Sequence, residues 1–345
     1  MYYNEDLLDK YLNSLKKEID SNYKNEILKT IYIGGGTPSC LNEKELNKLF
    51  EIIKTFKTSK DIEFTFEVNI NDINRELLII LKENKVNRLS IGVESINEKF
   101  LNFLNRKHTK EEVIEKINLT KEYFKNISVD LMYAFSNQTL EDLKKDLEFI
   151  KSINVSHISI YSLIIEKHTK LYIDKVLPLN EEIEESMYYY IIKYLNTLGY
   201  SHYEISNFSK KGYESKHNLT YWNNEEYYGF GLGASGYIGN KRYTNTRSIN
   251  KYVSNDYLSE IETIDKKIDM ENYMILGLRK INGVSKDDFL FKYNLNIYEA
   301  FDIIELIDRK LLIDDGKNIY IPSNKLYIQN SILVNFIGGS NGSNK

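Results

Sequence analysis

Five short segments of strand character alternate with segments of helical character, and this alternation limits the fold more than any other feature of the chain. Thr30–Ile33 is a short apolar run that stops at three glycines. Ile62, Phe64, Phe66 and Val68 alternate with Glu63, Thr65 and Glu67, the period of a strand with one apolar face. Further strands are expected at Arg88–Val93, Ser128–Tyr133 and His157–Leu163. Between them lie helical stripes: Glu43–Phe56 through Leu46, Leu49, Phe50 and Ile53, then Leu77 to Leu81, Asn97 to Phe124, and Leu140–Ile153. Another helix opens the chain, with Leu7, Leu8, Tyr11, Leu12, Leu15 and Ile19 on one face and Asn4 as its cap. Strand–helix–strand order implies parallel pairing through right-handed crossovers. A closed or partly closed β/α barrel and an open doubly wound sheet both satisfy it. In either, chemistry belongs at the carboxyl ends of the strands, where Gly34–Thr37, Glu67, Glu94 and Asp130 fall.

Downstream the texture changes. After a helix at Glu181–Leu198 comes a segment rich in Tyr, Gly and Asn, from Tyr200 to Asn245. Asp265 to Ile337 reads as a small helix–helix–hairpin domain of winged-helix shape, its hairpin turning at Asp315-Gly316. The expected division is therefore 1–199, 200–264 and 265–337, with 338–345 a disordered Gly/Ser/Asn tail. Between Asp265 and Phe336 ten Lys/Arg face eleven Asp/Glu, and the whole chain carries a net charge of -4. Neither balance suits a phosphate backbone, so no nucleic-acid partner is expected. The longest charge-free stretch, Leu326 to Asn344, is broken by amides and glycines and spans no bilayer. Acidic residues from Glu5 to Asp20 rule out a signal peptide in that stretch. The single cysteine, Cys40, excludes an intrachain disulfide, an all-cysteine zinc site and a three-cysteine iron–sulfur site within these 345 residues. It is expected as a small core residue.

Three groups of residues carry chemistry. Gly34-Gly35-Gly36-Thr37-Pro38 leaves backbone amides and carbonyls open to a ligand, and a plain strand–helix turn satisfies the same residues. Glu67, Glu94 and Asp130 stand one per strand end, suited to hydroxyl and ammonium groups, and Arg106 suits a carboxylate. Salt bridges inside a barrel would use the same side chains. His217, with Tyr221 and Trp222, could face a planar aromatic ligand or ligate haem iron, and a hydrogen-bonded histidine under aromatics is the alternative. His108, His157, His168 and His202 lack metal-ligand spacing.

Taken in order, Gly34–Ser39, Glu67-Val68-Asn69, Asn87–Ser95, Val129-Asp130-Leu131, Tyr203–Phe208, His217–Trp222 and the glycine-rich run to Ala234 resemble the radical S-adenosylmethionine proteins related to oxygen-independent coproporphyrinogen III oxidase. Tyr203–Phe208 and His217–Trp222 look closest to that family's haem chaperone branch. The resemblance implies a partial parallel β/α barrel, a winged-helix-like C-terminal domain, S-adenosylmethionine and haem as ligands, a haem-accepting protein as partner and a cytoplasmic location. By position, Gly35, Gly36 and Thr37 would line the methionine end of the cofactor. Glu67, Glu94, Arg106 and Asp130 would hold its ribose, amino and carboxylate groups, and His217 would contact haem, with Tyr221 and Trp222 as its platform.

The family's first strand ends in a Cys-x3-Cys-x2-Cys loop that holds a 4Fe-4S cluster. This chain begins just after the place of that loop, so the expected barrel lacks its first strand and these residues should not generate the radical. Glu94 also stands where the family usually has Gln, and Ser235 where a His is common. The resulting expectation is a haem chaperone-like protein. Its alternatives are a truncated remnant without function, or a coproporphyrinogen oxidase-like radical enzyme if the start is misplaced.

Overall fold

The computed structural model describes residues 5–167 and 169–338; the expected cap Asn4, His168 and the tail from 339 lie outside them. By packing, the chain divides into two compact units, one of Thr30–Glu43 with Glu63–Ser215, the other of Met1–Lys29, Lys44–Ile62 and Lys216–Lys345. The boundary at Ser215 falls inside the segment that sequence texture set apart.

The first unit is built on a curled sheet. The strands of that sheet are β1 (Leu28–Ile33, in this unit from Thr30), β2 (Thr58–Asn69, in this unit from Glu63), β3 (Arg88–Glu94), β4 (Asn126–Tyr133), β5 (His157–Ser162), β6 (Ser201–Glu204) and β7 (Asn207–Ser209). They lie in the order β1-β2-β3-β4-β5-β7-β6. From β2 to β5 each pair is parallel, whereas β7 joins β5 and β6 antiparallel. Five strands lying in chain order never reverse direction across the sheet, so the doubly wound alternative is excluded and the partial barrel holds. All five expected strands form, each within a few residues of its expected ends.

Period two explains how the sheet buries itself. Phe66, Leu89, Ile91, Val93, Val129, Leu131 and Ile158 are fully buried on the helix-covered face. The alternate residues, Glu67, Ser90, Asp130 and Ser159 among them, line the other face in matched register: Glu67 opposite Ser90, Gly92 opposite Asp130, Asp130 opposite Ser159. Helices Arg75–Glu83, Lys110–Tyr123 and Leu140–Ile153 start at side-chain caps on Asn74, Thr109 and Thr139. The last two carry full capping boxes, which satisfy two otherwise orphaned amides each.

In the second unit the opening helix, Glu5–Asn22, buries Leu12, Leu15 and Ile19. It also buries Glu18, whose carboxylate accepts from the Gly231 amide (2.9 Å), the Asn245 side chain (2.6 Å) and the Tyr252 hydroxyl. Strands β8 (Ser235–Ile238), β9 (Lys241–Asn245) and β10 (Leu258–Thr263) form an antiparallel sheet in the order β10-β9-β8. The winged-helix-like segment has helices Lys266–Gly277, Lys286–Tyr293, Ile297–Ala300 and Ile304–Asp308. Its sheet, β11 (Val284–Ser285), β12 (Ile313–Asp314) and β13 (Asn318–Tyr320), pairs as β11-β13-β12, adding one strand to the expected hairpin. Among the described residues no helix is long and apolar enough to cross a membrane.

One expectation is overturned. Cys40 is exposed, not a core residue. It ends the short turn Pro38–Cys40, in which the inward position belongs to Ser39. The Ser39 hydroxyl bridges Asp72 (2.5 Å) and the Asn69 amide (2.9 Å), and this turns Cys40 outward.

Candidate functional site

The polar face of the curled sheet gathers Glu67, Glu94, Arg106 and Asp130 with the glycine loop that follows β1. Gly35 and Gly36 have left-handed backbones (φ 77° and 99°), and no atom lies within 4 Å of where a β-carbon would stand on either. This is an open cradle of peptide groups of the kind that admits a ligand close to the main chain. Gly34 is different: a β-carbon there would lie 2.6 Å from the Glu67 carboxylate. Glu67 Oε2 accepts from the Gly35 amide at 2.9 Å and Oε1 from the Tyr32 hydroxyl at 2.7 Å. Both oxygens of Glu67 therefore shape the loop.

Left-handed, non-glycine residues stand in the loop after β1 (Thr37, φ 65°), at the end of β3 (Glu94, φ 67°) and just after β4 (Ala134, φ 61°). A β-branched residue such as Thr37 pays about 1–3 kcal/mol for this conformation, and such strain concentrates at functional sites. At Glu94 it accompanies a register shift between Gly92 and Glu94, an irregularity that re-aims a side chain. Glu94 Oε1 accepts from Arg106 Nη2 at 3.1 Å and Oε2 from the Tyr161 hydroxyl at 3.1 Å. Asp130 accepts from the Ser90 hydroxyl at 3.1 Å.

Burial pushes Glu94 above the usual carboxylate range, with Asp130 adding to the rise and Arg106 and Tyr161 opposing it. Asp130 is raised too, chiefly by desolvation, against the pull of its serine donors and of Arg88. Arg88 is almost completely buried, and its Nε has no hydrogen-bond partner. It supplies positive charge beside Asp130, as Arg106 does beside Glu94.

The structure thus brings Gly35, Gly36, Thr37, Glu67, Glu94, Arg106 and Asp130 to one end of one sheet face. Sequence reasoning missed Tyr32, Arg88, Ser90, Ser128, His157, Tyr161 and Tyr203, which line the same face. The signal was present: Arg88, Ser90 and Glu94, Ser128 and Asp130, and His157, Ser159 and Tyr161 recur at even spacings along their strands.

Two cofactors can be tested against these residues. The open left-handed glycines, the Arg106 guanidinium and the acceptor Asp130 fit S-adenosylmethionine. A 4Fe-4S cluster does not fit, because one exposed cysteine cannot replace three thiolates.

In the other unit, helix Lys216–Trp222 places His217 and Tyr221 one turn apart, with His217 Nε2 2.7 Å from the Tyr221 hydroxyl and the rings edge-on at 5.0 Å. Both are half-buried. Trp222 lies under the Arg279 guanidinium at 5.7 Å, and its buried Nε1 has no hydrogen-bond partner.

Residues 5–150 match the radical SAM superfamily. The chain is 38% identical to the haem chaperone HemW of Lactococcus lactis, over 96% of this chain and 90% of that protein. It is 38% identical to HemW of Bacillus subtilis, over 96% and 92%. Among solved structures, coproporphyrinogen III oxidase (HemN) of Escherichia coli, a radical SAM enzyme, superposes with a TM-score of 0.83 at 21% identity, covering 95% of this chain and 83% of that one. Likeness in fold to the oxidase and in sequence to the chaperones, along nearly the whole length, gives one conclusion: the chain belongs to the radical S-adenosylmethionine family related to oxygen-independent coproporphyrinogen III oxidase, in its haem chaperone branch.

Proposed function

We propose that this protein binds haem and passes it to an acceptor protein in the cytoplasm, and that the glycine cradle and strand-end residues of its barrel bind S-adenosylmethionine. The observation that carries the reading is the 38% identity to two haem chaperones over nine-tenths or more of their length. S-adenosylmethionine, when bound, supplies a sulfonium with a ribose and an amino acid end. Gly35, Gly36 and Thr37 would line the methionine end, Arg106 would pair with its carboxylate, and Glu94 and Asp130 would accept from its amino and ribose groups.

Haem contact is assigned to His217, with Tyr221 and Trp222 as its platform. Neutral imidazole is a good iron ligand. Because Nε2 already meets the Tyr221 hydroxyl, ligation through that nitrogen requires Tyr221 to turn aside. Titration of haem into the full chain, followed by absorbance, tests this. His217→Ala should shift the spectrum and weaken binding, and Tyr221→Phe, which removes the hydroxyl that meets Nε2, should leave or improve it. Unchanged affinity and spectrum in His217→Ala would remove His217 from the site. Absence of haem binding by the unaltered chain would remove the reading itself.

A further inference from the structure

The barrel face carries a hydrogen-bonded relay that ends on Asp130. His157, on β5, is completely buried. Its Nδ1 lies 2.8 Å from Ser128 Oγ, and its Nε2 lies 2.8 Å from the Tyr203 hydroxyl. Tyr203 in turn accepts from the Ser215 backbone amide at 3.2 Å. At the other end Ser128 Oγ lies 3.4 Å from Asp130 Oδ1 and 3.3 Å from Ser159 Oγ, and Ser159 itself bonds to Asp130.

The two ends set the direction of every bond between them. A backbone N–H can only donate, and an ionised carboxylate can only accept. Ser215 donates to the Tyr203 oxygen, so the phenol's own proton is directed at His157 Nε2. That leaves the imidazole proton on Nδ1, aimed at Ser128. The Ser128 hydroxyl then donates to Asp130, directly or through Ser159. The opposite tautomer would point two donors at the Tyr203 oxygen and leave its own proton without an acceptor in the relay. Buried donors rarely go unmatched, which favours the first arrangement.

We propose that His157 and Tyr203 are positioning residues for the cofactor site: fixed as the Nδ1–H tautomer, His157 carries a one-way relay from the Ser215 amide into Asp130 and keeps that carboxylate an acceptor for its ligand. The proposal rests on the reading of Asp130 as an S-adenosylmethionine contact. Burial and the nearby Arg88 hold His157 neutral well below its usual range, as the relay requires. The Ser90 hydroxyl also donates to Asp130, at 3.1 Å, and stands outside the relay. Glu67 and Glu94 repel charge on Asp130, Arg88 attracts it, and the Tyr32 and Tyr161 hydroxyls are spent on Glu67 and Glu94. Around Tyr203 stand Glu63, Glu204 and Arg88.

Two measurements decide it. In the 15N-histidine-labelled full chain, with His157 assigned by its loss in His157→Gln, Nδ1 should resonate as a protonated nitrogen and Nε2 as an unprotonated one. Protonation at Nε2 would overturn the relay without need of any ligand. In the second, S-adenosylmethionine binding is followed by calorimetry from pH 5 to 8. Tyr203→Phe removes one oxygen and should weaken binding by roughly three- to ten-fold, the worth of one hydrogen bond. It should also move the low-pH loss of binding to higher pH, because Asp130 loses support for its ionised form. His157→Gln, which keeps a donor and an acceptor, should fall between Tyr203→Phe and the unaltered chain. An unchanged pH profile in Tyr203→Phe would overturn the proposal. If the unaltered chain bound no S-adenosylmethionine, the cofactor reading would fall, while the tautomer and the 13C-carboxyl titration of Asp130 in Tyr203→Phe would still decide the relay.

Discussion

Gly34 passes so close to Glu67 that a single methyl group at Gly34 would stand 2.6 Å from the Glu67 carboxylate. That carboxylate is the point on which the loop after β1 is folded, through the Gly35 amide and the Tyr32 hydroxyl. The first glycine of the triplet is thus needed by Glu67, and the second and third by the open cradle.

Gly34→Ala should therefore disturb the loop without touching the cradle's own residues. Overpacking of this kind costs about 1–3 kcal/mol, read from urea unfolding. S-adenosylmethionine affinity should drop with it. Gly34→Ala combined with Glu67→Gly should not recover the stability, because a β-carbon at Gly34 also meets the Tyr32 ring at 2.6 Å and the loop loses its Glu67 acceptor. A Gly34→Ala protein as stable as the unaltered one would mean that Glu67 and the Tyr32 ring both yield freely.

The pairing of Glu94 with Arg106 carries a pH signature. Arg106→Leu leaves Glu94 in the same desolvated position without its cation, so the Glu94 carboxyl should rise further above the usual range. The lost stability, about 1–3 kcal/mol for a desolvated group left without its partner, should be largest at pH 8, where Glu94 is ionised. It should shrink as pH falls and Glu94 takes up its proton. Urea midpoints at pH 5 and pH 8 check this, and a difference that grew at low pH would contradict it.

Iron and sulfide reconstitution of the 345-residue chain, followed by desalting, should leave no stoichiometric cluster absorbance, since three thiolates are required and the chain has one cysteine. Retention of about four irons per chain would defeat that reading. The same experiment with haem in place of iron and sulfide separates loss of cluster from loss of haem binding.

The parallel sheet was readable because its buried face is strictly alternate: Phe64, Phe66 and Val68 in β2 can only face one way. Reading the strand ends located Glu67, Glu94 and Asp130 as well. The partners of these residues were harder to see. Tyr32, Tyr161 and Tyr203 carry no charge, so a rule that seeks charges at strand ends passes over their hydroxyls. Glu18 was hidden for the opposite reason. It sits on a helix among acidic and basic neighbours, and only tertiary contact with Gly231, Asn245 and Tyr252 shows that it is buried. The exposure of Cys40 could not be read either, because it depends on Ser39 finding Asp72, thirty-three residues away.

Asp146 supplies a pH dependence of the fold itself. It lies on the helix Leu140–Ile153, is almost fully buried, and accepts from the Ser95 hydroxyl at 2.9 Å and the Ile96 amide at 2.8 Å. Burial lifts its carboxyl from 3.8 to about 6, although both donors pull the other way. A carboxyl raised on folding favours the native state while it is protonated. Its contribution is therefore complete below pH 3.8, fades as pH rises, and is gone above about 6. Asn cannot titrate, so Asp146→Asn supplies a reference that lacks this dependence. Relative to Asp146→Asn, the unaltered protein should lose up to about 3 kcal/mol between pH 4 and pH 6, at 1.36 kcal/mol per pK unit, and little more beyond. Urea unfolding of both proteins at pH 4.5, 5.5 and 7 measures this. A relative gain in stability across that window would mean that the Ser95 and Ile96 donors outweigh desolvation, and that Asp146 is held ionised to cap the loop after β3.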